Sequence, residues 1–286
     1  MSEPSEFEIA LYVVATPLGN LGDITQRAVS VFSQVSVIAC EDTRVTRDLL
    51  RLLGIPAPVL FSVREHNERE AADSVIAKLA AGTAVAYASD AGTPAISDPG
   101  ARLVAAVRGA GFPIIPVPGV SAVTAALSVA GFEDTAFTFV GFAPVTPTTL
   151  AQFVERIASR VETTVFFESP HRADKTLQAL AAGLPAECRV VIARELTKKF
   201  ETIVALAAGE IDGWRVANAE RMRGEFVIVV AGTTNAPTPA FVDAQKLLKT
   251  LLEELPPAKA AKLTAKITGE SRETLYALAE KLKTDR

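Results

Sequence analysis

The sequence is poor in the residues that build disulfide frameworks and metal sites. It holds two cysteines and two histidines in 286 residues. Two thiols cannot staple a small secreted fold, and no Cys or His pair stands at zinc-ligand spacing. A reducing compartment and no bound metal are therefore expected. Cys40 and Cys188 each lie in an apolar run, where a buried structural thiol is the default. Long apolar runs are also lacking. None approaches the roughly 20 residues of a membrane span. The first residues, 1–8, are acidic and polar, so no signal peptide is expected and the reading is a cytoplasmic protein. Strong charge of either sign is missing too. A formal charge of −4 excludes a histone-like, wholly electrostatic nucleic-acid binder but leaves room for a local basic face.

What is present is apolar and orderly. Hydrophobic residues make up 49% and charged ones 22%, enough for a large core and two domains of ordinary size. Strand-like runs at 9–15, 35–40, 84–89 and 114–117 alternate with helical spacing at 25–34, 43–53, 67–81, 99–110 and 120–130. This alternation predicts a mostly parallel sheet with helices on its faces. Residues 131–134 read as a boundary. Beyond them strands are expected at 137–140, 163–167, 189–194, 201–206 and 225–230, with helices at 148–160 and 172–182. A Thr- and Pro-containing linker, 233–239, leads to a Lys-, Leu- and Ala-rich tail. The expected division is an N-terminal α/β domain over 9–131, a second α/β domain over 132–233 and a helical extension over 240–286. Residues 236–286 carry 9 Lys/Arg against 7 Asp/Glu, so the tail is the most basic part of the chain.

In open α/β sheets ligands sit beyond the carboxyl ends of the strands. Four loops of unusual composition fall there. The first is Thr16-Pro17-Leu18-Gly19-Asn20-Leu21-Gly22-Asp23, in which two glycines permit close backbone approach to a ligand; a plain tight turn explains it as well. The second, Cys40-Glu41-Asp42-Thr43-Arg44, suits a helix N-cap at Asp42 or Thr43, proton handling, or ligand contact. The third runs Ser89-Asp90-Ala91-Gly92-Thr93-Pro94 and on to Ser97-Asp98-Pro99-Gly100, longer than a turn alone needs. The fourth, Pro116-Val117-Pro118-Gly119-Val120-Ser121-Ala122, opens a helix whose first N–H groups can meet a ligand. His66 and His171 both lie among carboxylates and arginines. Each is a surface or structural histidine by default and a candidate acid/base or RNA contact otherwise.

Taken in order, these phrases are specific. Together with Glu168-Ser169-Pro170-His171-Arg172, Ala193-Arg194-Glu195-Leu196-Thr197-Lys198 and Gly224-Glu225-Phe226, they resemble the small-subunit rRNA methyltransferases of the tetrapyrrole (precorrin/corrin) methylase superfamily. The resemblance covers residues 9–232. It implies a two-domain, class III methyltransferase α/β fold with a small helical C-terminal region. It also implies S-adenosylmethionine (SAM) in the cleft, and 2′-O-methylation of a cytidine ribose in the decoding region of 16S rRNA by a homodimer. The resemblance places cofactor contacts at Leu18, Asp90, Thr93, Ser121 and Ala122, and near Phe167, Ala193 and Glu225. Two departures stand out. No basic residue follows Gly141-Phe142-Ala143-Pro144, where the family often has a Lys/Arg cluster. Arg64 replaces the family's usual histidine or similar residue before the Glu-His-Asn phrase.

A ribose 2′-hydroxyl is a poor nucleophile, so it needs a base or a cation for the developing alkoxide. Candidate acceptors are Glu41, Asp42, Glu65 and His66, with Glu168 also available. Candidate cations for RNA are Arg44, Arg64, Arg172, Lys198 and Lys199. The Glu41–Arg44 and Glu65–Asn67 loops are expected to face the target nucleotide. In the tail, residues 259–268 and 273–283 read as helix, turn, helix with Ser271 as an N-cap, either an RNA clamp or a packing appendage. Two other readings are a methyltransferase of the same superfamily acting on a tetrapyrrole or a protein side chain, and a ligand-sensing DNA-binding regulator.

Overall fold

The computed structural model describes residues 7–56, 58–64, 66–133, 136–233 and 244–284. Glu65, the boundary residues 134–135 and linker residues 234–239 lie outside these. The chain forms two compact units, Met1–Gly232 and Thr233–Arg286.

In the first unit, five strands form one parallel sheet: β1 (Leu11–Val14), β2 (Val37–Cys40), β3 (Val59–Ser62), β4 (Val85–Ala88) and β5 (Ile114–Val117). Their order is β3-β2-β4-β1-β5, so β1 and β4 lie side by side near the middle. Every residue of β2 and β4 is buried, as expected of strands covered on both faces. The period of two sorts the side chains between layers. Tyr12, Val14, Ile38 and Cys40 face α1 (Gln26–Gln34) and α2 (Thr43–Leu52), meeting Phe32 and Leu50. Leu11, Val37, Ala39 and Tyr87 face α3 (Glu68–Ala80) and α4 (Ala101–Gly109), meeting Val75, Leu79, Leu103 and Val107.

The second sheet contains β6 (Phe137–Phe142), β7 (Thr163–Glu168), β8 (Arg189–Arg194), β9 (Thr202–Ala207) and β10 (Phe226–Val230). Its order is β6-β7-β10-β8-β9, parallel between β6 and β7 and antiparallel elsewhere. One face packs on α6 (Pro147–Ala158), α7 (Ala173–Gly183) and α8 (Ile211–Ala217). The other face receives Val123, Ala126 and Ala130 of α5 (Ala122–Ala130), against Val165, Val191 and Val227. Helix α5 follows β5 in the chain but buries its apolar side on the second sheet. That places the end of β5 next to β7 and β10.

Two elements are additions to the sequence reading. Strand β3 is a four-residue edge strand with Val59 exposed. Helix α8 spans seven residues and includes Gly213. Cys40 is buried, whereas Cys188 is only half-buried.

The second unit is a three-helix cluster: α9 (Ala244–Leu251), α10 (Pro257–Thr268) and α11 (Arg272–Thr284). Leu248, Ala260, Ala261, Leu275 and Ala279 form its core. Gly269 ends α10 in the left-handed conformation, and Ser271 Oγ accepts from Thr274 N at 3.5 Å to open α11. Helix α9 joins the helix-turn-helix pair expected from sequence. Among the described residues no helix is long and apolar enough to cross a membrane.

Candidate active site

The loops after β1, β4 and β5 are tied to one another by backbone. Thr16 and Gly92 exchange a pair of N–H···O bonds of 2.9 Å each. The Thr16 hydroxyl donates to Ser89 O at 3.1 Å, and the Thr93 hydroxyl donates to Val120 O at 2.9 Å. Ser121 opens α5 without a side-chain cap, so its first-turn N–H groups are left for a ligand. These loops and the facing ends of β7 and β10 enclose a cavity of about 320 Å³. Leu18, Ala122, Phe142, Phe167, Leu196 and Val227 give it apolar walls, while Thr93, Asp98, Ser121 and Glu225 supply polar atoms.

Six of the residues that the resemblance assigns to the cofactor line this cavity: Leu18, Thr93, Ser121, Ala122, Phe167 and Glu225. Asp90 and Ala193 are not among its lining residues. Asp90 turns toward the loop after β2, and Ala193 is fully buried inside β8. Asp98 does line it, although the sequence reading gave that residue no role. The signal was the length of the loop after β4, which holds Ala95 and Ser97 in the left-handed region at φ 65° and 64°. Two anchors fix its far end. The Tyr87 hydroxyl donates to Pro99 O, and the buried Glu68 carboxylate accepts from Gly100 N, Arg102 N and Leu103 N at 2.8–3.1 Å. Burial, with Glu41 adding like charge, pushes the Asp98 carboxyl up to about 6.

Lys198 closes one side. Its ammonium pairs with Glu195 at 3.1 Å and Glu225 at 2.9 Å, and its stem lies across Gly19, where a Cβ would collide with Lys198 Cγ. Gly19 is thus required by this close approach. Lys198 is a latch between the loops after β1 and β8, already neutralised by two carboxylates.

A ledge of charged groups adjoins the cavity at the ends of β2 and β3. Asp42 N donates to Asp90 Oδ1 at 3.0 Å, and Asp90 N donates to Glu41 Oε2 at 3.2 Å. Asp42 caps α2 through Arg44 N at 2.8 Å and holds the Arg44 guanidinium at 2.5 Å. Arg64 lies 3.8 Å from the same carboxylate. The hydrogen bonds from Arg44 hold Asp42 well below the usual carboxylate range. Burial lifts Glu41 instead, and Asp90 likewise. Ser62 Oγ donates to Glu41 O at 2.8 Å, and Asn67 braces the turn by accepting from Arg64 N and donating to Ser62 O. The Glu41–Arg44 and Arg64–Asn67 loops therefore meet. His66 is exposed on that turn, and Glu65 lies outside the described residues.

The other named cations and acceptors divide. Arg172 is committed internally: it pairs with buried Glu168 at 2.7 Å and donates to Ser169 Oγ and Ala143 O. Lys199 is exposed, with its ammonium 5.5 Å from the Phe200 ring centroid. His171 is exposed.

Comparison with known proteins gives the family. The family model for Tetrapyrrole (Corrin/Porphyrin) Methylases matches residues 10–212. The chain belongs to the tetrapyrrole methylase family. A protein of Neisseria meningitidis serogroup B named ribosomal RNA small subunit methyltransferase I is 47% identical over 270 residues, 94% of this chain and 92% of that protein. A model named RsmI C-terminal HTH domain matches residues 238–283, the three-helix unit. Among solved structures, cobalt precorrin-4 methyltransferase superposes with a TM-score of 0.57 at 22% identity, over 78% of this chain and 95% of that one. Uroporphyrin-III C-methyltransferase of Thermus thermophilus, complexed with S-adenosylhomocysteine, gives 0.53 at 18% identity, over 78% and 97%. The tetrapyrrole-methylase α/β fold with a small helical C-terminal region, expected from sequence, is thus the fold of this chain. Membership makes the protein a methyltransferase.

Proposed function

We propose that the protein transfers a methyl group from SAM to the 2′-oxygen of a cytidine ribose in small-subunit rRNA, acting in the cytoplasm as a homodimer. Methylation of rRNA rests on the 47% identity to a named rRNA methyltransferase across 94% of the chain. The 2′-oxygen, the cytidine, the subunit context and the dimer are the finer part of the proposal.

The observation that carries the reading is the composition of the cavity. Its volume falls in the range of small-molecule sites, with apolar walls and few convergent polar groups. Phe142, Phe167, Leu18 and Val227 suit an adenosine, and Asp98 and Glu225 suit hydroxyls and a positive charge. The open first turn of α5 suits a carboxylate or a ring nitrogen. The residues present fit SAM. Bound there, SAM supplies a methyl group activated by a sulfonium.

The chain's own residues supply the remaining requirements. Leu18, Phe142 and Phe167 exclude water from the cavity. On the ledge, Glu41 is the better proton acceptor, since burial lifts its affinity for a proton while Asp42 is kept anionic. Asp42 holds Arg44 and Arg64, whose guanidinium groups are free on their outer side for a phosphate or a developing alkoxide. His66 is exposed on the same rim. Glu41→Gln is expected to lower kcat by at least ~100-fold, the usual contribution of a general base, with SAM affinity unchanged. Unchanged turnover in an Asp42→Ala/His66→Ala double variant would contradict the placement of the nucleotide on this ledge. The function itself is tested by incubating the protein with labelled SAM and small subunits from cells lacking the modification, beside naked 16S rRNA. Label in at least one is expected, and label in neither overturns the reading.

A further inference from the structure

Beside the cavity, separated from it by one ring, lies a second depression of about 250 Å³ lined by Val140, Phe142, Pro144, Phe153, Arg156 and Arg160 among others. Phe142 lines both hollows. The cause is local. The register of β6 against β7 shifts between Phe139 and Phe142, and Gly141 takes φ 72°, a conformation that favours glycine. The bulge turns Phe142 edge-on to Phe167, with centroids 5.6 Å apart, and leaves its side chain half exposed. Arg156 lies in the last turn of α6 and both it and Arg160 line the depression. Arg160 stands just past the last turn. Among the described residues neither guanidinium has a carboxylate partner, whereas Arg44, Arg64, Arg172 and Arg215 all do. Two unneutralised cations over an apolar floor are an electrostatic site for an anion that carries flat apolar surface.

We propose that this groove is a second RNA subsite, which seats the strand next to the target nucleotide: Arg156 and Arg160 hold its phosphates, and the Phe142 ring divides the flanking base from the reacting one. The inference rests on the rRNA reading above. The occupant is a single RNA strand, because the groove is continuous with the cavity only through an exposed aromatic ring, on which a splayed base stacks.

The test uses the full chain, with Arg156→Glu/Arg160→Glu, labelled SAM and unmodified small subunits. The expected result is a KM for the subunit raised at least about tenfold, with kcat and the Kd for SAM within about twofold. The slope of log(kcat/KM) against log salt is expected to become shallower by about 1.4, for two single-strand phosphates at ~0.7 each. Arg156→Lys/Arg160→Lys is expected to restore most of the KM. Should charge reversal cost SAM binding, Arg156→Gln/Arg160→Gln gives the same readout without added charge. A wild-type KM and salt slope in the reversed or neutral pair, beside an active wild type, overturns the subsite alone. No label from the wild type overturns the rRNA reading and the subsite with it.

Discussion

Glu68 shows how a side chain outside the cavity sets its shape. It starts α3, yet its carboxylate caps α4, accepting three backbone N–H groups that Gly100 has no side chain to satisfy. Removing it strands buried donors, so Glu68→Ala is expected to cost about 2–3 kcal/mol in urea unfolding, with partial recovery in Glu68→Gln. A loss under ~0.5 kcal/mol would mean that the cap carries no weight. Asp98, which Glu68 helps to hold, makes a pH-dependent contribution. Its folded pKa of about 6 lies above the ordinary aspartate value of about 3.9. The native state therefore binds the proton more tightly than the unfolded chain, and stability falls as pH rises through 4 to 6. Asp98→Asn removes that cost. The variant is expected to be more stable than the parent by about 1 kcal/mol at pH 8, after discounting for solvent screening, with the gap closing toward pH 4. A gap that widens on acidification would reverse the assignment. Neither residue was legible as a site residue in the sequence. Both depend on which loop folds against which helix end, and spacing does not encode that.

At the scale of elements, legibility followed burial. Strands β2 and β4 are covered on both faces and read as unbroken apolar runs, Val37-Ile38-Ala39-Cys40 and Val85-Ala86-Tyr87-Ala88. Strand β3 escaped because it sits at the sheet edge, is not buried like β2 and β4, and follows a Pro-Ala-Pro segment. Helix α8 escaped because seven residues with an internal glycine give almost no periodicity. The helix-turn-helix of the tail was legible from Gly269 and Ser271, residues whose geometry ends one helix and starts the next. The tail has its own core. Truncation after Gly232 is therefore expected to leave SAM affinity unchanged in calorimetry. If the tail clamps RNA, the same protein binds rRNA more weakly and with a shallower salt dependence. Unchanged rRNA affinity would leave the tail as a packing appendage.

Across the whole molecule, the site exists because α5 is shared. It leaves the parallel sheet at β5 and buries itself on the mixed sheet, which brings Ser121 and Thr93 opposite Phe167 and Glu225. Small and turn-forming residues at strand ends marked the loops after β1, β4 and β5 in advance, and the resemblance named six of the lining residues. The partners across the cleft were not derivable from spacing. The Lys198 latch over Gly19, the ring of Phe142 between two hollows and the arginines at the end of α6 all require the two sheets to be placed first. Charge follows the same rule: the chain is acidic overall, at −4, and the cations proposed to meet RNA are local.

The central claim, methyl transfer to a ribose oxygen, is tested most directly by alkaline hydrolysis of the labelled rRNA product. A 2′-O-methyl group removes the hydroxyl that attacks the adjacent phosphate, so that linkage resists alkali. The account predicts that the label emerges in a single alkali-stable dinucleotide with cytidine at its 5′ side. Label recovered in mononucleotides would place the methyl group on a base and contradict it.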